Sequence, residues 1–308
     1  MPDASSHRPA HRRARHPRGA RGEEFAGSRG SFVLLHAVGL VVTALYLLPM
    51  LYILTVALTP RGESTTTLPT RLDFGNFAAA LQSADFLRFF GNSLLVTLVA
   101  TLSQVVLSCM AGYALAKAPL RGRGWILMLL IGLLVLPPEI IMVPLFVILT
   151  HLPLVNGNNI LGSGGQGLLN NYLSLMMPHL AAALSIFLMR QFYVDLPDEL
   201  GQAARVDGAS EWRIFSQVYT PLTLPAVTVV AVLAFQSAWN DFLWPLIMVR
   251  SSSMRTLQLG VTVFYQENST QWNLLMCIVL LISLPVVLIF LFSQRFFTSG
   301  IAAGSVKG

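Results

Sequence analysis

The sequence has very little charge. Only 11% of its 308 residues are Asp, Glu, Lys or Arg, whereas an ordinary soluble domain has about 25%. Hydrophobic residues make up 54% of the chain, and the mean hydropathy is +0.65. This composition excludes a typical soluble globular domain and indicates an integral membrane protein.

Cysteine and convergent histidine are also scarce. Cys109 and Cys277 both lie inside apolar segments, so the chain has neither a disulfide framework nor the spacing of a metal site. Three of the six histidines lie near the N-terminus, and His36, His151 and His179 are far apart in the sequence. We therefore predict packing cysteines, no metal, no cofactor and no catalytic site, so the chain is not an enzyme.

The sequence lacks a phosphate-binding loop. No Gly-Lys-Ser or Gly-Lys-Thr occurs anywhere in it, and that motif is needed to hold the phosphates of ATP in the common nucleotide-binding loop. If transport through this protein is powered by ATP, the ATPase is therefore a separate chain.

Long apolar segments are abundant. About 20 apolar residues cross the hydrocarbon core of a bilayer, and none of the segments alternates in hydrophobicity as a barrel strand does. The sequence therefore predicts an all-α integral membrane protein with six transmembrane helices. The six segments are residues 32–58, 91–116, 125–149, 172–192, 222–248 and 273–296.

The distribution of basic residues predicts the orientation. With the N-terminus inside, fifteen of the twenty Lys and Arg residues fall on the cytoplasmic side, and cytoplasmic loops of membrane proteins are enriched in these residues. The prediction is N-in and C-in. Residues 1–30 are rich in Arg, Pro, Gly and Ser and are predicted to be a disordered basic cytoplasmic tail. Residues 31–308 then form the transmembrane domain.

One charged stretch separates the fourth and fifth apolar segments. It reads PDELGQAARVDGASEWRIF over residues 197–215. Pro197 suits the first turn of a helix, Gly208 can adopt the left-handed conformation that ends one, and Ser210 can cap a second. We predict a cytoplasmic helix-turn-helix, called the elbow below, within a loop of about residues 196–221, and we expect Pro221 to end its second helix. The alternative is a solvated loop without a partner.

The elbow resembles the EAA loop of the permease subunits of bacterial ABC importers. That loop has Glu-Ala-Ala, three residues, Gly, and a hydrophobic-x-Leu-Pro about ten residues later; here Gln202 replaces the Glu and Thr220 the usual Leu. The resemblance implies that the elbow is a coupling helix that docks into an ATPase subunit. The implied coupling residues are Gln202, Ala203, Ala204, Asp207, Gly208, Ser210 and Pro221.

Other stretches are similar to the carbohydrate-uptake branch of these permeases. They are FFGNSLLVT, AGYALAK, LPPEIIMVPLF, WNDFLWPLIM and QRFFTSGIAAGSVKG, and the likeness is greatest to the shorter, six-helix partner of the maltose-type pair. The resemblance implies a multi-pass subunit of the bacterial plasma (inner) membrane that forms a heterodimer with a homologous permease. It also implies two cytoplasmic ATP-binding subunits, an extracellular solute-binding protein, and no nucleic acid partner.

Two acids lie within the apolar segments. An ionised acid at the bilayer centre costs about 2.5–3.5 kcal/mol on insertion scales, so it usually faces a bundle interior or water. One hypothesis makes Glu139, Asn240 and Asp241 part of the translocation pathway; the alternative is that they stabilise proline-kinked helices. Asn92 and Gln104 are expected to form hydrogen bonds between helices.

Three alternatives compete with a sugar-importing ABC permease, and the sequence disfavours the last two of them. The first is an ABC permease for a non-sugar solute such as a peptide, phosphate or amino acid. The second is a secondary transporter or channel, which would use ion-coupling charges and repeated halves. The third is a membrane-embedded enzyme, which would need convergent catalytic groups.

Overall fold

The computed structural model describes residues 29–83, 85–264 and 271–304, and these contain helices and loops but no β-strand. This agrees with the predicted all-α class. Most of the predicted tail, 1–28, lies outside the described residues. The α-helices are α1 (Arg29–Ala57), α2 (Gly75–Ser83), α3 (Phe86–Lys117), α4 (Arg123–Val135), α5 (Pro138–Thr150), α6 (Tyr172–Met176), α7 (Ala183–Val194), α8 (Asp198–Val206), α9 (Glu211–Arg213), α10 (Thr220–Leu222), α11 (Leu224–Trp239), α12 (Leu243–Met248), α13 (Leu257–Gly260) and α14 (Trp272–Gly304).

Tighter and wider helical turns join some of these helices. The 3-10 segments are Met177–His179, Ser252–Met254 and Val261–Phe264, and Ile214–Tyr219 is a π-helix. The chain divides into two units, residues 1–51 and residues 52–308. The described part of the first unit is helical throughout, and the second unit contains the remaining helices.

Three helices are long and apolar enough to cross a membrane. They cover Phe32–Ala57, Phe86–Lys117 and Trp272–Gln294. Three further segments reach that length only as bent helix pairs. The bend is 105° between α4 and α5, 43° between Tyr172–His179 and α7, and 82° between Glu211–Leu222 and α11. By length and composition the described residues therefore contain up to six spans, of which three are broken.

Prolines lie at two of the bends. Leu136 has an extended backbone (ψ 126°) between α4 and α5, because the residue before a proline is disfavoured in the helical region. Pro221 does not end the second helix of the elbow as predicted. The helix continues through α10 and breaks at Thr223, beside Pro225 in the first turn of α11.

The third helix, α3, packs against α7 and α11. Gly112 lies at the closest approach to α7, because a Cβ added there would be 2.7 Å from the Cβ of Met189 and 2.8 Å from the backbone nitrogen of Arg190. On the same side of α3, the Gln104 Nε2 donates a hydrogen bond of 2.6 Å to the Oγ of Ser185 in α7. The expected interhelical role of Gln104 is confirmed.

Asn92 near the start of α3 connects three segments. Its Nδ2 donates to the carbonyl oxygens of Ser253 and Arg255, both at 2.9 Å, and its Oδ1 accepts a 2.7 Å hydrogen bond from the hydroxyl of Tyr172 in α6. The amide therefore does bond to another helix, as expected, and it also holds the loop that precedes α13.

Among the described residues of the second unit, buried hydrophobic side chains form three clusters. The first contains Trp239 and Cys277, the second Trp244 and Met248, and the third surrounds the C-terminal end of α3 and includes Cys109. Both cysteines are buried and free, which agrees with their predicted packing role.

Candidate functional site

The first helix of the elbow ends in a glycine turn. Gly208 has φ +78°, and its N–H donates to the carbonyl of Arg205 at 3.0 Å. The N–H of Ala209 donates to the carbonyl of Ala204 at 2.9 Å. This pair of bonds is the Schellman arrangement, in which a residue with left-handed conformation satisfies the last carbonyls of a helix. Gly208 therefore occupies the position of this turn that requires the left-handed backbone conformation.

The second helix of the elbow begins at a serine cap. The Ser210 Oγ accepts a hydrogen bond of 3.4 Å from the N–H of Arg213. Arg205 in the last turn of α8 donates two hydrogen bonds to Glu211, at 2.6 Å and 3.1 Å. The two helices of the elbow are therefore joined across the turn by a bidentate ion pair. The hydrogen bond from Arg205 lowers the pKa of the Glu211 carboxyl below its ordinary value.

The predicted coupling residues lie on an exposed surface. Gln202, Ala203, Asp207, Gly208, Ser210 and Pro221 are exposed, and Ala204 is half-buried. Two large apolar side chains lie on the same segment: Val206 is 88% exposed and Trp212 is 63% exposed.

A mostly apolar cavity that also contains several polar groups lies between the breaks of two bent spans and the C-terminal end of α11. It has a volume of about 410 Å³ and is lined by Glu139 at the start of α5, by His179 after α6, and by Ser237 and Asp241 at the end of α11. Breaks in membrane helices near a cavity are typical of solute sites in transporters. The structure therefore brings together Glu139 and Asp241, two of the three predicted pathway residues.

His179 and Asp241 are hydrogen-bonded to each other at this cavity. The distance from His179 Nε2 to Asp241 Oδ2 is 2.9 Å, and the two side chains are 13% and 17% exposed. The other carboxylate oxygen of Asp241 accepts a 3.2 Å hydrogen bond from the N–H of Trp244, whose indole N–H donates to the carbonyl of Ser174 at 2.8 Å. Asp241 thus has structural contacts as well as a face toward the cavity.

The sequence interpretation of two residues changes here. His179 was expected to belong to no site, yet it is the partner of Asp241. The signal available in the sequence was its position directly after Pro178 inside an apolar segment, matching Glu139 after Pro138. Asn240 does not line the same cavity; it lines a second one of about 320 Å³, where Gln258 donates to its Oδ1 at 3.4 Å.

The described residues contain no group of three or more His, Cys, Asp or Glu that could hold a metal ion. The groups available in the first cavity are two carboxylates, an imidazole and a hydroxyl. These can donate and accept hydrogen bonds to a polar solute.

Long apolar helices, bent spans and a cavity that contains polar groups, as found in the described residues, are typical of a helical membrane protein of the transport type. The fold is similar to that of a bacterial ABC transporter involved in the import of the acidic polysaccharide alginate, with a TM-score of 0.73, 23% identity, and coverage of 88% of this chain and 98% of that chain. A second structure, a bacterial alginate ABC transporter in complex with alginate pentasaccharide-bound periplasmic protein, gives a TM-score of 0.60 at 14% identity, over 88% of this chain and 96% of that chain.

Residues 104–302 match the family described as binding-protein-dependent transport system inner membrane component. Because the match covers more than half of the chain, the protein belongs to this family, and the predicted membership in the ABC importer permeases is confirmed.

Three relatives cover most of the chain. It is 34% identical to the arabinooligosaccharides transport system permease protein AraQ of Halalkalibacterium halodurans, over 78% of this chain and 81% of that one. It is also 34% identical to the lactose transport system permease protein LacG of Rhizobium radiobacter, over 76% of this chain and 80% of that one. It is 30% identical to the sn-glycerol-3-phosphate transport system permease protein UgpE of Salmonella typhi, over 89% of this chain and 96% of that one.

Proposed function

We propose that this chain is the transmembrane permease subunit of an ATP-driven importer for a sugar or oligosaccharide. Family membership is the observation that supports this most strongly. The solute class is supported by relatives named for arabinooligosaccharides and lactose, which align with about three quarters of the chain. In this proposal the chain forms half of the translocation pathway and itself catalyses no reaction.

The elbow at 197–215 is the proposed contact with the ATPase. Its exposed Ala203 lets another surface approach closely, and the exposed Val206 and Trp212 add apolar area for docking. Gln202 is exposed where the family has Glu, so the proposed contact uses no carboxylate at that position. This role requires the elbow to lie in the cytoplasm, with both termini inside, as the distribution of Lys and Arg predicts.

The proposed partners follow from this arrangement. They are a homologous permease subunit, two cytoplasmic ATP-binding subunits and an extracellular solute-binding protein, with the complex embedded in the bacterial inner membrane. The transmembrane domain is residues 31–308, and no nucleic acid is involved. Membership of a binding-protein-dependent transport family argues against a secondary transporter.

A non-sugar solute is the second candidate. It is favoured by the 30% identity to a permease named for sn-glycerol-3-phosphate, which aligns with 89% of this chain. A phosphorylated polyol differs from a sugar in carrying negative charge, and the first cavity contains two carboxylates. Like charges disfavour binding, so the cavity supports the neutral, hydroxyl-rich solute.

Co-purification and uptake test the proposed function. The tagged chain, extracted in mild detergent, should bring down a second permease and an ATPase, and proteoliposomes containing the complex should accumulate a neutral oligosaccharide only with ATP and the solute-binding protein. Recovery of a chain that transports alone without ATP would overturn the proposal. Uptake of glycerol phosphate but no sugar would favour the second candidate.

The cavity gives a separate prediction. We expect Asp241→Ala and His179→Ala each to lower the rate of solute uptake by roughly tenfold, because each removes the hydrogen bond between the imidazole and the carboxylate and leaves its partner without it. Neither change should weaken co-purification with the ATPase, since the elbow is untouched. Asn240→Ala is the matched control in the neighbouring cavity. Equal losses in all three variants would contradict a pathway role for the His179–Asp241 pair.

A further inference from the structure

The C-terminal end of α3 contacts the first helix of the elbow through a lysine. The Lys117 Nζ donates to the carbonyl of Leu196 at 2.6 Å and to the Oδ1 of Asp198 at 2.5 Å. Asp198 is the first residue of α8, so Lys117 holds the point where the elbow begins. The ammonium also lies 5.4 Å from the centre of the Tyr219 ring, within range of a cation–π contact.

A tyrosine one turn earlier on α3 contacts the second helix of the elbow. The Tyr113 hydroxyl donates a 3.3 Å hydrogen bond to the Oε2 of Glu211, the first residue of α9. Residues four apart lie on the same face of a helix, so Tyr113 and Lys117 reach the two halves of the elbow from one side of α3. The Arg205–Glu211 ion pair closes the ring between those halves.

Burial makes the lysine contact specific. The Lys117 side chain is 7% exposed whereas its partner Asp198 is 72% exposed, and a nearly buried ammonium requires acceptors for its hydrogen bonds. The hydrogen bond from Lys117 lowers the pKa of Asp198 below its ordinary value. A lowered carboxyl pKa means that the ion pair weakens only as the pH falls through that lowered pKa. The contact is therefore present throughout the neutral range.

A close packing contact supports the same junction. The Tyr219 hydroxyl donates to the carbonyl of Pro197 and accepts from the N–H of Gly201, both at 3.2 Å. A Cβ on Gly201 would be only 2.8 Å from that hydroxyl oxygen. The first helix of the elbow is thus held against the segment that leads into α11, while Lys117 holds the first helix to α3 and Tyr113 holds the second.

We propose that Tyr113 and Lys117 are positioning residues that fasten the elbow to α3, so that the elbow and α3 move as one body. This inference rests on the proposed docking of the elbow to an ATPase. A displacement of the elbow then moves α3, which packs on α7 and α11. Both α7 and α11 belong to the bent spans, so the movement reaches the helices that line the first cavity.

The proposal is tested by measuring the amount of solute taken up per ATP hydrolysed. The measurement uses the reconstituted complex with its partner permease and ATPases. Lys117→Met should leave complex formation and ATP hydrolysis intact and lower solute uptake per ATP by roughly tenfold, a typical size for a residue that couples two sites. Lys117→Arg, which retains the donors, should restore most of the loss. Tyr113→Phe removes only the hydroxyl and should lower uptake per ATP to a smaller extent.

A distance measurement distinguishes coupling from a purely structural role of Lys117 and Tyr113. Spin labels at the exposed positions Leu102 on α3 and Glu199 on α8 should keep the same separation with and without ATP in the wild-type chain. In the Lys117→Met, Tyr113→Phe double variant the separation should differ between the two states. A separation that already changes with ATP in the wild type would overturn the inference.

The remaining outcomes separate this inference from the proposed function. Wild-type uptake per ATP in the double variant would overturn the inference. If Lys117→Met does not accumulate in the membrane, Asp198→Asn weakens the same contact from its exposed side and is measured in the same way. Ala203→Trp enlarges the exposed face of α8, so it should prevent ATPase binding. An intact complex with Ala203→Trp would overturn the proposed docking itself, whatever the Lys117 variants do.

Discussion

Gly208→Pro is expected to abolish ATP-coupled uptake while the protein still inserts into the membrane. Gly208 has φ +78° and its N–H donates to the carbonyl of Arg205. Proline fixes φ near −65° and has no N–H, so the turn cannot form, at a cost of about 3 kcal/mol or more. Because the apolar spans are unchanged, the membrane fraction should contain normal amounts of the variant. Uptake of labelled solute into vesicles should fall by about a hundredfold.

Two substitutions at the same position separate backbone conformation from available space. No atom lies within 4 Å of a Cβ built on Gly208, so side-chain size alone should be tolerated. Gly208→Asn should keep most of the uptake, since Asn adopts the left-handed conformation readily. Gly208→Val should lose much of it, since a β-branched residue does not. Normal uptake by Gly208→Pro would show that the elbow does not couple ATP hydrolysis to transport.

Gly112→Ala is expected to destabilise the transmembrane domain even though the change adds a single methyl group. The new Cβ would lie 2.7 Å from the Cβ of Met189 and 2.8 Å from the nitrogen of Arg190. Backbone cannot yield as a flexible side chain does, so α3 and α7 must separate. Overpacking of this kind costs about 1–3 kcal/mol. Thermal unfolding of the purified complex in detergent should therefore begin at a lower temperature.

Gly91→Ala is the matched control on the same helix. A Cβ at Gly91 has no atom within 4 Å, and alanine is favoured over glycine in a helix by about 1 kcal/mol. The unfolding temperature should stay unchanged or rise slightly. Equal shifts for Gly91→Ala and Gly112→Ala would contradict the close packing of α3 on α7.

The sequence predicts the features that depend on neighbouring residues. The segments long enough to span follow from apolar length, and the ends of α8 and the start of α9 follow from Pro197, Gly208 and Ser210, each of which acts on its own turn of backbone. Gln104 was correctly expected to bond to another helix, because an amide inside an apolar segment needs a partner there. The partner itself, Ser185, lies 81 positions further along the chain.

Features that depend on tertiary packing were beyond the sequence. Prolines mark positions where a helix can bend, yet they do not set a bend of 105° between α4 and α5; packing does. The His179–Asp241 pair joins residues 62 positions apart, and Asn240, which lies beside Asp241 in the turn between α11 and α12, lines a different cavity. The hydrogen bonds from Lys117 and Tyr113 to the elbow also join residues far apart in the sequence.

The broken spans also have a consequence for how the protein is made. The helices α4 and α5 have 13 residues each, or about 20 Å of helix, whereas the hydrocarbon core is about 30 Å thick. Neither helix is long enough to cross by itself. Only the pair together has the apolar length of one span, so we infer that the two helices enter the bilayer as a single unit.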